Sequence, residues 1–143
     1  MTPQVIAVCT SEKKGERKVP VARVLFKKDH GLADDAHAGP WHRQVSLLAM
    51  ESIDKMTALG LKVGPGDFAE NLTTVGIELP GLPIGSRLAV GSALLEITQI
   101  GKECHQRCAI YYQAGDCVMP KEGVFARVIQ EGEARAGDAI RLV

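Results

Sequence analysis

The chain has 143 residues, which fits one domain with a sizeable core. Its 17 Lys+Arg balance 17 Asp+Glu, and aromatic residues are only 4%. This excludes nucleic-acid binding through a broad basic surface, a stacking platform for single strands, and an acidic tail; only local charged pockets remain.

Apolar residues at 45% and charged residues at 24% are ordinary for a globular protein. Residues 5–10 and 21–26 read as strands, joined by a solvated loop at 11–18 that carries Glu12, Lys13, Lys14, Glu16, Arg17 and Lys18. Residues 31–44 are polar. Over residues 46–59, Leu47, Met50, Ile53 and Met56 recur at every third position with Leu48 on the same face. That pattern predicts a helix with Ser46 as N-cap and Gly60 as its stop. Residues 63–71 are Gly-rich, residues 72–77 read as extended, and residues 79–85 are broken by Pro80 and Pro83. Gly91-Ser92 is a hairpin signal between strands at 87–90 and 93–100. Residues 120–131 are expected to form a short helix, with Pro120 in its first turn, Phe125, Val128 and Ile129 on one face, and Gly132 after it. A last strand at 139–143 follows the Gly137-Asp138 turn. Strands and helices do not alternate in a βαβ rhythm. The expectation is a single all-β or β-rich domain over residues 1–143, a barrel with one or two short peripheral helices.

The N-terminus lacks the basic start and long apolar run of a signal peptide, and nothing approaches a membrane span. The expected setting is therefore cytoplasmic and reducing, with no membrane or nucleic-acid partner. There, cysteines are more often ligands or nucleophiles than disulfides.

Three constellations carry candidate chemistry. The first places Asp34, Asp35, His37, His42, Arg43 and Gln44 within fourteen residues. Arg43 offers a planar fork for an anion, with His37 and His42 as further donors, and Asp35 and His37 would share a face if extended. A polar surface loop closing its own turns reads equally well. The second is Gly64-Pro65-Gly66-Asp67-Phe68-Ala69-Glu70-Asn71-Leu72. Its glycines admit close approach of a ligand, and Glu70 and Asn71 supply acceptors and donors; a Gly-rich turn capped by Asn71 is the plainer reading. The third is Lys102-Glu103-Cys104-His105-Gln106-Arg107-Cys108, with Cys117 downstream. Lys102, His105 and Arg107 would lower the pKa of a nearby thiol. Cys104 then reads as nucleophile or soft-metal ligand. Alternatively, Cys104, His105, Cys108 and Cys117 hold zinc, or Cys104 and Cys108 form a redox pair. Cys9, in an apolar strand, fits a small buried residue.

In this order the constellations resemble the MOSC family, named for the C-terminal domain of molybdenum cofactor sulfurases. The matching residues are Gly31-Leu32-Ala33-Asp34-Asp35-Ala36-His37-Ala38-Gly39, Arg43-Gln44-Val45-Ser46-Leu47-Leu48 with Glu51, and Gly66-Asp67-Phe68-Ala69-Glu70-Asn71-Leu72-Thr73-Thr74 with Gly76-Ile77. Leu82-Pro83-Ile84-Gly85, Gly91, Leu95-Glu96-Ile97-Thr98-Gln99 and Cys104 complete the set. The resemblance implies a MOSC-type β-barrel that handles sulfur and molybdenum cofactor (molybdopterin), in a small stand-alone form without the pyridoxal-phosphate domain of the sulfurases. It implies Cys104 as molybdenum ligand or persulfide carrier and Cys108 as the resolving or alternative thiol. Asp35, His37, Arg43, Glu70, Asn71, Lys102 and Arg107 would then bind the cofactor. The implied activity is sulfur transfer or molybdenum-cofactor-dependent chemistry. The implied partners are the cofactor and a molybdoenzyme or cofactor-biosynthesis protein, the chain acting either alone or as an adaptor that delivers cofactor.

Overall fold

The computed structural model describes residues 2–13, 17–36, 38–101 and 122–143. Its elements are strands for the most part. β1 (Gln4–Thr10), β2 (Val19–Val21), β3 (Val24–Lys27), β4 (Gly31–Leu32) and β5 (Val45–Ala49) precede helix α1 (Met50–Ala58). β6 (Leu72–Val75), a 3-10 turn at Leu79–Gly81, β7 (Arg87–Val90), β8 (Ala93–Ile100), β9 (Val124–Gln130), β10 (Gly132–Ala134) and β11 (Ile140–Leu142) follow.

The β7–β8 hairpin is written locally in the sequence. Gly91, at φ 56°, supplies the left-handed turn residue, and Val90 pairs with Ala93 directly across it. Along β8, Ala93, Leu95 and Ile97 are buried while Leu94, Glu96 and Thr98 turn outward, the two-residue period of a strand. Eight strands form one sheet in the order β11-β7-β8-β9-β5-β6-β1-β2, and β10-β3-β4 form a second. The β-rich class is as the sequence implied, but the sheet is not a fully paired, closed barrel. The ladder ends at β11 and β2, and an isolated antiparallel bridge links Gln4 of β1, the strand beside β2, to Ala139, the residue before β11. Backbone bonds from Val5 N to the Asp138 carbonyl (2.8 Å), Gly137 N to Val5 (2.8 Å) and Ile140 N to Pro3 (3.0 Å) surround that bridge.

Three expected elements differ, each for a packing reason. The strand expected at 21–26 is two: β2 pairs with β1 in the large sheet, whereas β3 pairs with β10 and β4 in the small one. The helix expected at 46–59 begins only at Met50, after β5. All five β5 residues are buried, because the strand lies between β9 and, in parallel, β6. Leu47 packs inside the main core and its neighbour Leu48 packs against the helix, so an apolar run covered on both faces is a central strand, not a helical start. Ser46 is accordingly a strand residue, and the helix N-cap position falls on Ala49 without a side-chain cap. Gly60 does stop the helix, at φ 96°, with its N–H on the Thr57 carbonyl (3.0 Å). Over Val124–Gln130 the helix expected at 120–131 is instead β9, antiparallel to both β8 and β5. Val124, Phe125, Val128 and Ile129 are the β-branched and aromatic residues that suit such a place. Among the described residues, α1 is therefore the one α-helix, and none is long and apolar enough to cross a membrane.

The main core, including Val8, Phe26, Leu47, Leu72, Leu88, Leu95 and Val128, is built from residues of both sheets. A second cluster, Leu48, Ile53, Met56, Leu61, Phe68 and Phe125, seats α1 on the outer face.

Candidate functional site

The segment after β4 leads through Trp41, His42 and Arg43 into β5. Its Gln44 is buried, and its side-chain oxygen accepts the N–H of Val128 in β9 at 2.9 Å, which anchors the end of the segment to the sheet. Arg43 is held by rings. Its guanidinium carbon lies 4.6 Å from the centroid of Trp41 and 5.6 Å from that of Phe125. Two aromatic faces fix the plane of the cation without neutralising it. Its Nε is buried and has no hydrogen-bond partner. Arg43 is thus a fixed cation with an unmet donor, as an anion subsite requires.

The Gly-rich loop after α1 closes on its own chain. Glu70 is buried; its Oε2 accepts Gly66 N–H (3.0 Å) and the Thr73 hydroxyl (2.6 Å), and its Oε1 accepts Phe68 N–H (3.2 Å). Burial raises the pKa of this carboxyl, and the Thr73 hydroxyl and the loop amides oppose the shift. The amides that the glycines expose are taken by carboxylates of the same loop: Gly64 N–H also binds Asp67, at 2.8 Å. Asn71 is buried as well. Its Oδ1 accepts Ser46 N–H (3.0 Å) and the Ser46 hydroxyl (3.1 Å), while its Nδ2 donates to the Cys9 carbonyl (3.1 Å). It therefore clasps β5 to β1 rather than capping the element that follows.

Asp35 completes this buried polar layer. Its Oδ1 accepts Ser11 N–H at 3.1 Å and meets Lys18 Nζ at 2.7 Å, both side chains of the ion pair being fully buried. Lys18 also donates to the Ser11 hydroxyl at 3.0 Å. The sequence placed Lys18 in a solvated loop; instead it folds inward, because a buried carboxylate waits 17 residues downstream. Lys18 N–H further binds the Gly66 carbonyl (2.8 Å), so the Asp35 and Glu70 loops are tied through one residue. Cys9 lies in the same layer. Burial, and secondarily the charge of Glu70, push its thiol up to about 12.

The structure therefore brings Asp35, Glu70 and Asn71 together, in a buried network with Lys18 and Ser46, and holds Arg43 separately between its aromatic neighbours. His37, Lys102, Cys104, His105, Arg107, Cys108 and Cys117 lie outside the described residues. All of these but His37 belong to residues 102–121, which follow Gly101 at the end of β8; Gly101 N–H binds the Gly123 carbonyl (2.7 Å), and Gln99 of β8 pairs with Phe125 of β9. The thiol-rich sequence thus departs from the strand pair that carries one of Arg43's two rings. The sequence reading missed Lys18, Trp41, Phe125 and Ser46 as partners. Trp41, the single tryptophan and two residues before Arg43, was the available signal.

The family model for the MOSC domain matches residues 34–141. The fold is similar to that of YuaD from Bacillus subtilis, at 18% identity and TM-score 0.80, over 98% of this chain and 94% of that one. It is also similar to YiiM from Geobacillus stearothermophilus (22% identity, TM-score 0.74, 99% of this chain and 75% of that one). YiiM from Escherichia coli gives 22% identity and TM-score 0.71, over 100% of this chain and 70% of that one. No curated protein matches in sequence. The family model spans both the Arg43 segment and the Glu70-Asn71 loop, and the chain belongs to the MOSC domain family.

Proposed function

We propose that this MOSC domain binds the molybdenum cofactor or handles sulfur for it, with Cys104 as thiolate ligand or persulfide carrier and Cys108 as the second thiol. The observation that carries the reading is Arg43: a guanidinium clamped between Trp41 and Phe125 with its Nε buried and unpartnered. A cofactor with a phosphate end fits such a donor, and Lys102, Arg107 and His37 would supplement it. Asp35, Glu70 and Asn71 serve this site as struts that hold its loops, since the bonds described above engage their side chains within the fold. When bound, the cofactor supplies molybdenum with soft sulfur ligands, a set that a cysteine thiolate completes. A persulfide carrier needs the same accessible, low-pKa thiol.

The test is mass spectrometry and elemental analysis of protein from its native host, beside Cys104→Ser and Arg43→Ala. Bound pterin with molybdenum, or persulfide on Cys104, is expected in the wild type. Cys104→Ser should abolish either one with the fold intact, and Arg43→Ala should weaken pterin retention. One zinc per chain without molybdenum, or binding unchanged in both variants, overturns the reading.

A further inference from the structure

Helix α1 covers the outer face of the large sheet over β5 and β6. Across β9, β8, β7 and β11 the outward side chains stay at least partly exposed, Phe125 beside the helix excepted. Two cross-strand rows stand there. In one, Arg87 of β7 faces Glu96 of β8, which faces Arg127 of β9. In the next, Arg141 of β11 faces Ala89 of β7, and Ala89 faces Leu94 of β8. Ile129 follows Arg127 on the outward side of β9. The alternating residues Leu88, Leu95 and Val128 point into the core, so both rows lie on one solvent face. Glu96 organises the first row. Its Oε2 accepts Arg87 Nε at 3.1 Å, and its Oε1 accepts Arg127 Nε at 3.2 Å and Nη2 at 3.1 Å. A guanidinium carries more N–H donors than half a carboxylate engages, so one glutamate fixes both forks and leaves donors free. The Arg87 and Arg127 side chains are 48% and 44% exposed, against 19% for Glu96, so the cations and not the anion face outward. Arg141 is exposed and adds a third cation. In a chain with no net charge, three arginines against one carboxylate are a local excess.

We propose that this β9-β8-β7-β11 face docks an acidic protein surface, with the partner's carboxylates on Arg87, Arg127 and Arg141 and its apolar side chains on Ala89, Leu94 and Ile129. Charge complementarity decides the occupant. Arginines already held by an intramolecular carboxylate meet a partner's carboxylates as planar forks at a reduced ordering cost. Aliphatic carbon ringed by arginine is also the anatomy of a protein interface. A nucleic acid fits worse, because its phosphates would meet Glu96 in the middle of the row and the apolar row offers them nothing. The face borders the Arg43 segment. Thr98, two residues along β8 from Glu96, donates to the His42 carbonyl, and Phe125, two residues along β9 from Arg127, carries the Arg43 guanidinium. The first row thus begins about 7 Å along the strands from the groups that hold that segment. A protein docked there sits beside whatever the Arg43 subsite holds. The inference rests neither on Cys104 nor on a bound cofactor.

The experiment uses the full chain and a short peptide of alternating Glu and Leu. A peptide of alternating Lys and Leu, a single-stranded DNA oligomer and phosphatidylglycerol vesicles are run beside it. Nitrogen-15 NMR maps the contact, and fluorescence anisotropy of the labelled peptide gives the affinity. The acidic peptide is expected to shift the amides of Arg87, Leu94, Glu96, Arg127 and Arg141, and the basic peptide to leave them in place. Arg87→Glu combined with Arg127→Glu should weaken binding about tenfold or more. Arg141 forms no ion pair among the described residues, so Arg141→Glu keeps the test decisive if the double variant fails to fold; it should weaken binding about fivefold. Absence of shifts on this face, an affinity unchanged in every folded variant, or tighter binding of the basic peptide, the DNA or the vesicles through the same face overturns the proposal. These measurements need neither pterin nor persulfide, so their failure leaves the cofactor reading standing, and a chain that retains neither group leaves this one standing.

Discussion

Lys18 Nζ lies 2.7 Å from Asp35 Oδ1, and neither side chain is exposed. Such a pair is costly to break from one side, because the charge left behind stays buried. Lys18→Met or Asp35→Ala should each lower unfolding free energy by about 3–5 kcal/mol, and the double variant should lose less than the sum of the two. Urea denaturation of the four proteins measures the coupling; additive losses would show that the ion pair is not the source.

Cys9 should be inert to alkylation in the native state. Its thiol is pushed up to about 12 from 9.0, so the native protein holds the proton more tightly than the unfolded chain does. The stability this group contributes is full below pH 9.0 and falls as pH rises towards about 12. Cys9→Ala should flatten that alkaline decline in a pH series of thermal melts. Rapid modification of Cys9 below pH 9.0 without denaturant would contradict its burial.

Gly66 sits at φ +89°, and a Cβ there would run into the Lys18 carbonyl and approach Cys9 Sγ to 3.3 Å. Gly66→Ala combines a disfavoured backbone with a backbone clash, and should cost more than about 1 kcal/mol. Gly60 offers a control in the same φ region, at +96°, but with nothing within 4 Å of the added carbon. Gly60→Ala should therefore be milder in the same denaturation assay.

Thr74 predicts the opposite sign. Its hydroxyl is buried in the middle of the large sheet and has no hydrogen-bond partner. Thr74→Val keeps the branched shape that a strand favours and removes the orphan, so it should raise stability by about 1 kcal/mol. A lower melting temperature in this variant would show that the hydroxyl is satisfied in solution.

What was legible in the sequence was what is encoded nearby. Gly91-Ser92 makes its hairpin with the two residues it joins, and Gly60 ends its helix on the spot. The family motifs were legible too, because each is a short stretch. Lys18 was not: nothing near it announces a buried partner, and its neighbours are charged and solvated. Nor were β5 and β9. Leu47, Met50, Ile53 and Met56 keep a helical spacing straight across the point where β5 ends and α1 begins. Only burial on both faces, a property of the assembled sheet, separates the two elements. At the site, Arg43 reads as a candidate anion donor from its side-chain chemistry alone. The rings that hold it were not, since Phe125 comes from a strand more than eighty residues away.

The bridge between Gln4 and Ala139 sets an order on the molecule's birth. β1 can find β2 and β6 while the rest of the chain is still being made, but its contact with the far end of the sheet requires residue 139 to have been synthesised. Forming this bridge is thus a late event with one of the longest sequence separations available, the kind of contact that slows folding. Until then the partly made sheet presents unpaired edges to its surroundings, and a cell that makes this protein must keep those edges from meeting one another.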